Sequence, residues 1–522
     1  MLPFRQESGF TRRQLLRLLI LGPVLRASAA EPAEPRRQGG TQSRIPAQRE
    51  ITAGRWRTWL VPSVRALHPA PVPSRISLQG RAEFEELHDL QARRSDLIRI
   101  LVEFWEPQGG IPRWSQILLD TIRVTRTDPV RASRALALIY TAVADAAICA
   151  WDAKFTHNRP QPSTLDPRLT SLAQSDYLLP PYPSEHGAIA GAAATVLNEL
   201  FPRQTALVHG RRMSFDEASS EAGASRLWAG ANYRSDVEAG FAIGRAVGRL
   251  AVARGRSDGS DAVWDAATQP GRPLGPQYWM PAPPANIFPP LYPLAGTWKP
   301  WLMRFGGEFR SPIAPAHQGV FPSARFLVET MEVKQTIDNL APEQLTIARF
   351  WADDLGTSYT PPGHWAQIAT EQVVATQVST PRAARALALI GAGLADSAIA
   401  CWHDKYAYWV LRPITAIRTL ARQQFYDPNF LTPVVTPPFP AYTSGHSTFS
   451  GCSAEVLEYL FPEGRTADAF GRMVPFQEAA EQAAVSRLYG GIHYRSDNEH
   501  GLRCGRRIAD LVIRRARSDG AP

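Results

Sequence analysis

The strongest constraint on this chain is that it states one segment twice. Ser486-Arg487-Leu488-Tyr489-Gly490-Gly491-Ile492-His493-Tyr494-Arg495-Ser496-Asp497 answers to Ser225-Arg226-Leu227-Trp228-Ala229-Gly230-Ala231-Asn232-Tyr233-Arg234-Ser235-Asp236, 261 positions earlier. The likeness extends outward. The segment 53–60, with Trp56 and Trp59, recurs at 295–302 with Trp298 and Trp301. Residues 134–139 recur at 385–390, and Asp145, Trp151 and Lys154 answer to Asp396, Trp402 and Lys405. The offset grows from 242 to 261 along the chain, as expected when insertions collect in loops. That period is too long for a solenoid. It predicts two related helical domains, and 522 residues are enough to give each a core.

The fold class expected is all-α: two tandem four-helix-bundle domains. Apolar residues at helical spacing, with many alanines, mark 83–105, 130–154, 187–200, 215–227 and 237–253 in the first half. Their counterparts are 382–411, 447–460, 476–489 and 498–515. Alanine and glycine at contact positions suit closely packed bundles. The predicted organisation is a leader over 1–30, a linker over 31–52, a first bundle over 53–258, a linker over 259–294 and a second bundle over 295–522. Nine prolines in 270–293 keep that second linker from being helical throughout.

The leader reads as a twin-arginine export signal: Arg12-Arg13, an apolar run from Leu18 to Leu25, then Ala27-Ser28-Ala29-Ala30 as a cleavage site. The run is interrupted by Pro23 and is too short to span a bilayer, so no stable membrane anchor is expected and the location is periplasmic or secreted. The leader carries five Arg against Glu7, out of a net charge of +9. The remaining positive charge is dispersed, which argues against nucleic acid as a partner and suits a small anion. Cys149, Cys401, Cys452 and Cys504 form no CxxC pair, which argues against structural zinc. In an oxidising compartment Cys452 and Cys504 are the pair placed for a disulfide, with buried free thiols the alternative.

Three segments of the second half carry chemistry. Lys405 and Arg412 stand seven apart, two turns along one helix face if the helix continues to Pro413; alone they read more readily as a solvated stripe. Pro440-Ala441-Tyr442-Thr443-Ser444-Gly445-His446 opens a helix whose free N–H groups favour an anion, with Gly445 allowing close backbone approach and Ser444 adding a hydroxyl. His446 is placed beside that anion as acid or base. In the third segment Gly490-Gly491 turns the chain after Arg487, and Asp497 falls four residues beyond His493, on its face of a helix, to orient the imidazole. Together these residues form a donor cage for a tetrahedral or trigonal-bipyramidal oxyanion.

The series Lys405-x6-Arg412-Pro413, Ser444-Gly445-His446, Ser486-Arg487-x5-His493-x3-Asp497 resembles the signature shared by vanadium-dependent haloperoxidases and the type 2 phosphatidic-acid-phosphatase (PAP2) superfamily of acid phosphatases. The resemblance implies a peroxidase-class oxidoreductase with vanadate(V) as cofactor, phosphate as its competitor, and hydrogen peroxide, halide and in some cases an organic acceptor as partners. It implies that Lys405, Arg412, Ser444, Gly445 and Arg487 hold vanadate, that His493 bonds the metal and that His446 moves protons. Trp402 and Phe439 match aromatic positions near the halide, and Asp354 matches an acidic residue paired with a site arginine. Thr443 replaces a usual proline and is expected to shift the helix start slightly. Two alternatives stand beside this: an acid phosphatase working through a phosphohistidine at His493, and an oxyanion-binding protein without turnover. The first half keeps Lys154, Arg159, Ser184, His186 and Arg226. Its lysine–arginine spacing is five, Glu185 replaces the glycine and Asn232 replaces the histidine, so it is expected to be structural.

Overall fold

The computed structural model describes residues 50–173, 179–265, 273–283 and 286–522. The export signal over 1–30 lies outside the described residues, as does part of each predicted linker.

The first half holds α1 (Leu78–Ala92), α2 (Asp96–Trp105), α3 (Ile111–Val124), α4 (Pro129–His157), α5 (Glu185–Leu200), α6 (Phe215–Trp228) and α7 (Arg234–Arg256). A hairpin of β1 (Thr205–Val208) and β2 (Arg211–Ser214) joins α5 to α6. The second half holds α8 (Ala324–Asp338), α9 (Pro342–Phe350), α10 (Thr360–Thr376), α11 (Thr380–Tyr408), α12 (Pro413–Thr419), α13 (Gly445–Leu460), α14 (Phe476–Tyr489) and α15 (Arg495–Arg517), with β3 (Thr466–Ala467) and β4 (Met473–Val474) joining α13 to α14. The all-α expectation holds. The stretch expected as one helix over 83–105 is two, because Ser95 breaks it and caps α2, its hydroxyl accepting from Ile98 N–H.

Helices α4, α5 and α7 pack mutually, with α6 against α5; α11, α13 and α15, with α14 against α13, repeat that arrangement. Glycine permits the closest crossings. A methyl group at Gly244 would lie 2.1 Å from the Ala188 carbonyl oxygen, and one at Gly505 would lie 2.2 Å from that of Thr448. The long apolar helices α4 and α11 lie against each other, and one hydrophobic core runs through both halves. All four cysteines are buried free thiols; Cys452 and Cys504 are not paired.

The tryptophan-rich repeats lock the halves crosswise. Asp145 accepts from the N–H groups of Trp59, Leu60 and Val61, and Asp396 from those of Trp301, Leu302 and Met303. Arg515 then reaches from the second half to the carbonyls of Arg57 and Thr58 and lies 4.7 Å from the Trp59 ring. Arg254 reaches from the first half to the carbonyls of Lys299 and Pro300, 4.0 Å from the Trp301 ring. Trp59 and Trp301 meet edge to face at 6.1 Å.

Candidate active site

Lys405 lies in the last turn of α11, fully buried, and its Nζ donates to the carbonyls of Pro440, Ala441 and Thr443 at 2.8, 3.0 and 2.6 Å. The helix ends at Tyr408, because Trp409 turns left-handed (φ 51°). Arg412 is therefore not two turns along the helix of Lys405. It caps α12 in extended conformation, and Pro413 begins that helix rather than ending the previous one. The same stop occurs at left-handed Asn158, so the five-residue spacing of Lys154 and Arg159 does not take Arg159 off a helix face; both arginines approach from loops.

Arg412 is buried. Its Nε donates to Phe439 O at 2.8 Å and its Nη1 to Ile492 O at 2.8 Å, with His493 Nε2 3.1 Å away; its Nη2 is buried without a partner. Arg487, in the last turn of α14, donates to Ser486 Oγ and Ala348 O. No carboxylate forms an ion pair with Lys405, Arg412 or Arg487 among the described residues. Burial accordingly pulls all three down, Lys405 to about 8 and each arginine to about 10.

Ser444 caps α13, its Oγ accepting from Ser447 N–H and Ser447 Oγ–H. Its backbone (φ −70°, ψ 123°) matches that of Ser184 in the first half (φ −69°, ψ 122°), so Thr443 does not shift the helix start. The preceding peptide bond is cis in both copies, Tyr182–Pro183 and Tyr442–Thr443. Gly445 has room for a ligand: a methyl group there would meet nothing nearer than 3.7 Å. His446 follows in the first turn, its Nε2 buried without a partner. Burial, then the charge of Arg487, holds His446 well below the usual imidazole range, against the opposing carbonyls of Trp351 and Ala352.

His493 stands before α15 rather than within it. Gly491 (φ 71°) turns the chain, Tyr494 caps the helix, and Asp497 at its third position accepts from Tyr494 N–H at 3.1 Å. The same carboxylate meets His493 Nδ1 at 2.8 Å. The expected pair is present, built by a helix cap rather than by neighbours on a helix face. With Nδ1–H donated to Asp497, the Nε2 lone pair faces Arg412. Burial, then the charges of Arg412 and Lys405, keeps His493 neutral, well below its usual range.

Trp402 and Phe439 pack at 5.0 Å, with Lys405 Nζ 4.9 Å and Arg412 Cζ 5.0 Å from the Phe439 ring. Both aromatic residues line a cavity of about 150 Å³ that also reaches Gly445, His446, Arg487 and His493. Asp354 lines this cavity but is exposed and makes no ion pair with Arg487, contrary to expectation. Asp353 is half-buried with its side chain turned inward, and its carboxylate acts on Arg487 more strongly than that of Asp354. His364 Nδ1 holds Asp353 at 3.2 Å while its ring stacks on Trp351 at 4.6 Å. Sequence reasoning missed both Asp353 and His364. The adjacent Asp353-Asp354 pair was the available signal, and the left-handed backbone of Asp353 (φ 51°) decides which side chain turns inward.

The corresponding first-half residues are neutralised from within. Lys154 pairs with Glu185 at 2.7 Å, Arg159 with Asp236 and Glu83, and Arg226 with Glu106. Asn232 donates to Pro181 O at 2.7 Å. The second site thus carries buried positive charge and unpartnered donors, which suit a multiply charged oxyanion. Among the described residues no cluster of three or more His, Cys, Asp or Glu is placed to hold a bare metal cation.

The VCPO second helical-bundle domain family matches residues 385–474 and 463–519, and the PAP2 superfamily matches residues 134–256. The chain is 30% identical over 142 residues to the vanadium chloroperoxidase of Curvularia inaequalis; the match spans 23% of this chain and 23% of that protein. The fold is similar to that in the crystal structure of the first bacterial vanadium-dependent iodoperoxidase: TM-score 0.58, 25% identity, 77% of this chain and 96% of that one. It is also similar to an apo-type bacterial vanadium-dependent chloroperoxidase: TM-score 0.54, 13% identity, 76% and 94% of the two chains.

Proposed function

We propose that this chain, whose halves match the VCPO second helical-bundle domain family and the PAP2 superfamily, is a vanadium-dependent haloperoxidase that oxidises halide with hydrogen peroxide to hypohalous acid, with vanadate as cofactor. The observation that carries this reading is the set of three buried cations, Lys405, Arg412 and Arg487, without carboxylate partners. The unpartnered Arg412 Nη2 and His446 Nε2 are the donor and acceptor that a bound oxyanion and its reactant require.

In this reading Lys405, Arg412, Ser444, the Gly445 amide and Arg487 hold vanadate, and His493 Nε2 bonds the vanadium. When bound, vanadate supplies a Lewis acid that activates peroxide without changing its own oxidation state. Asp497 fixes the His493 tautomer and ring angle by taking the Nδ1 proton, which leaves Nε2 free as a ligand. The low basicity of buried His493 keeps that lone pair available in mildly acidic solution. Neutral His446 takes a proton from incoming peroxide and returns it to the leaving oxygen. Trp402 and Phe439 offer a weakly hydrated halide an apolar wall beside the positive charge of Lys405 and Arg412. The Arg12-Arg13 pair and the apolar run after it support export, to the periplasm or outside the cell.

A second reading, a phosphomonoesterase, is favoured by the same His493–Asp497 pair, since a neutral imidazole oriented by a carboxylate is also a nucleophile for phosphorus. A paired assay separates the two. Purified protein with orthovanadate, peroxide and halide is expected to halogenate a trapping dye. Hydrolysis of a phosphate ester without vanadate, and no halogenation with it, sinks the haloperoxidase reading.

A further inference from the structure

Behind the anion site lies a thiol that the proposed chemistry does not use. Cys401 stands one turn before Lys405 on the same face of α11, and both are fully buried. Their side chains converge on one peptide group: Lys405 Nζ donates to Thr443 O at 2.6 Å, and Cys401 Sγ donates to the same oxygen at 3.4 Å. The Thr443 hydroxyl returns a bond, donating to Cys401 Sγ at 3.7 Å. The Thr448 hydroxyl, which donates to Ser444 O at 2.8 Å, acts on the thiol as well. A methyl group at Gly445 would lie 4.0 Å from Cys401 Sγ, so the thiol backs the residue whose amide is assigned to the anion.

The first half starts its matching helix without any of these groups. The positions answering to Cys401, Thr443 and Thr448 are Ala150, Pro183 and Ala188. Three polar residues thus stand where the neutralised copy has three apolar ones, yet the Ser184 and Ser444 backbones coincide (φ −69° and −70°, ψ 122° and 123°). Proline fixes its own φ through its ring. Threonine does not, so side-chain bonds must supply the restraint. The need also differs between the copies. Lys154 is aimed by Glu185 at 2.7 Å together with Pro180 O. Lys405 is aimed by backbone carbonyls, of which that of Thr443 is the nearest.

We propose that Cys401 is a positioning residue of the anion site: paired with Thr443, it fixes the Thr443 peptide and with it the aim of Lys405 and of the Gly445 amide at a bound oxyanion. The inference rests on the reading of this site as an oxyanion site and is independent of the halide used. Cys401 touches no reactant, so its effect is on affinity. Removing the thiol leaves the Thr443 hydroxyl buried without its acceptor, and the peptide that steers Lys405 loses its restraint.

Calorimetric titration of the full chain with orthovanadate, beside urea unfolding without it, tests this. Cys401→Ala is expected to weaken vanadate binding about tenfold. Cys401→Ser keeps a donor and an acceptor at the same place and is expected to bind nearly as wild type does. Cys401→Ala combined with Thr443→Pro reproduces the first-half pair and removes both partners together, so it is expected to bind more tightly than Cys401→Ala alone. Cys149→Ala, which removes a buried thiol of the first half, is the control and is expected to match wild type. Unchanged affinity in Cys401→Ala, even with lowered stability, overturns the inference and leaves the oxyanion reading standing. Cys401→Ser binding as weakly as Cys401→Ala also overturns it, because packing rather than hydrogen bonding is then responsible. A wild type that binds no orthovanadate removes the oxyanion reading itself, and the inference with it.

Discussion

The two copies of the site hold the same three cations, a lysine and two arginines, and treat them in opposite ways. In the first half every cation has a resident carboxylate: Glu185 for Lys154, Asp236 and Glu83 for Arg159, Glu106 for Arg226. In the second half Lys405, Arg412 and Arg487 are held by backbone carbonyls and a serine hydroxyl. The carboxylate matching Asp236 is Asp497, and it is turned to His493 instead of to the arginine. The difference teaches that a buried cationic cluster reads as a binding site only when its neutralising charge is missing from the chain.

The largest test of that contrast is on activity. His493→Ala is expected to lower halogenation by about a thousandfold or more, as loss of a group acting on the reacting centre does, while Asn232→Ala leaves turnover unchanged. Steady-state rates for both variants check this; equal losses would erase the distinction between the copies. Next comes stability. Arg159→Ala strands Asp236 and Glu83 and is expected to cost about 3–5 kcal/mol. Arg412→Ala removes a cation with no ion pair and is expected to cost about 1–2 kcal/mol, from lost hydrogen bonds. Urea unfolding without vanadate or phosphate measures both.

Adding the anion sharpens the comparison further. Orthovanadate at about a hundredfold its Kd is expected to stabilise the wild type by about 2.7 kcal/mol, to stabilise Arg159→Ala by as much, and to do nothing for Arg412→Ala. The last effect is on acid stability. His186 is held down to about 4, by burial first and then by Arg226, whereas an unfolded histidine titrates near 6.5. The folded pKa is the lower one, so the stabilisation is whole above about 6.5 and disappears as pH falls toward about 4. Burial holds His493 and His446 well below the usual imidazole range as well, so their protonation also opposes folding in acid. His186→Phe should therefore lose less stability between pH 7 and 4.5 than wild type, by roughly 2 kcal/mol, in paired urea titrations.

Residue types were more legible than the geometry that joins them. Lysine, arginine, serine–glycine–histidine and histidine–aspartate could be read off because oxyanion chemistry demands those groups, whatever backbone carries them. Their backbone settings were less legible. The stop after Tyr408 depends on Trp409 adopting a left-handed conformation, which its residue type does not announce. Asp497 reaches His493 as a helix cap, although its four-residue separation suggested a helix face. The inward turn of Asp353 over Asp354 rests on one backbone angle and on His364, ten or more residues away in sequence. The helices α3, α8, α9 and α10 are absent from the expected set, although α3 carries a legible apolar stripe in Ile111, Trp114, Ile117, Leu118 and Ile122.

The crosswise reach of Arg515 and Arg254 also fixes what can be done to this molecule with a protease or a gene split. Each arginine secures a loop belonging to the other half, and one apolar face of α4 is packed against α11. A nick between Ser260 and Pro290 would therefore yield two fragments that stay together as a complex. A gene trimmed to the signature-bearing half would produce a chain with a bare helix face and an arginine with nothing to hold, prone to self-association rather than a smaller enzyme.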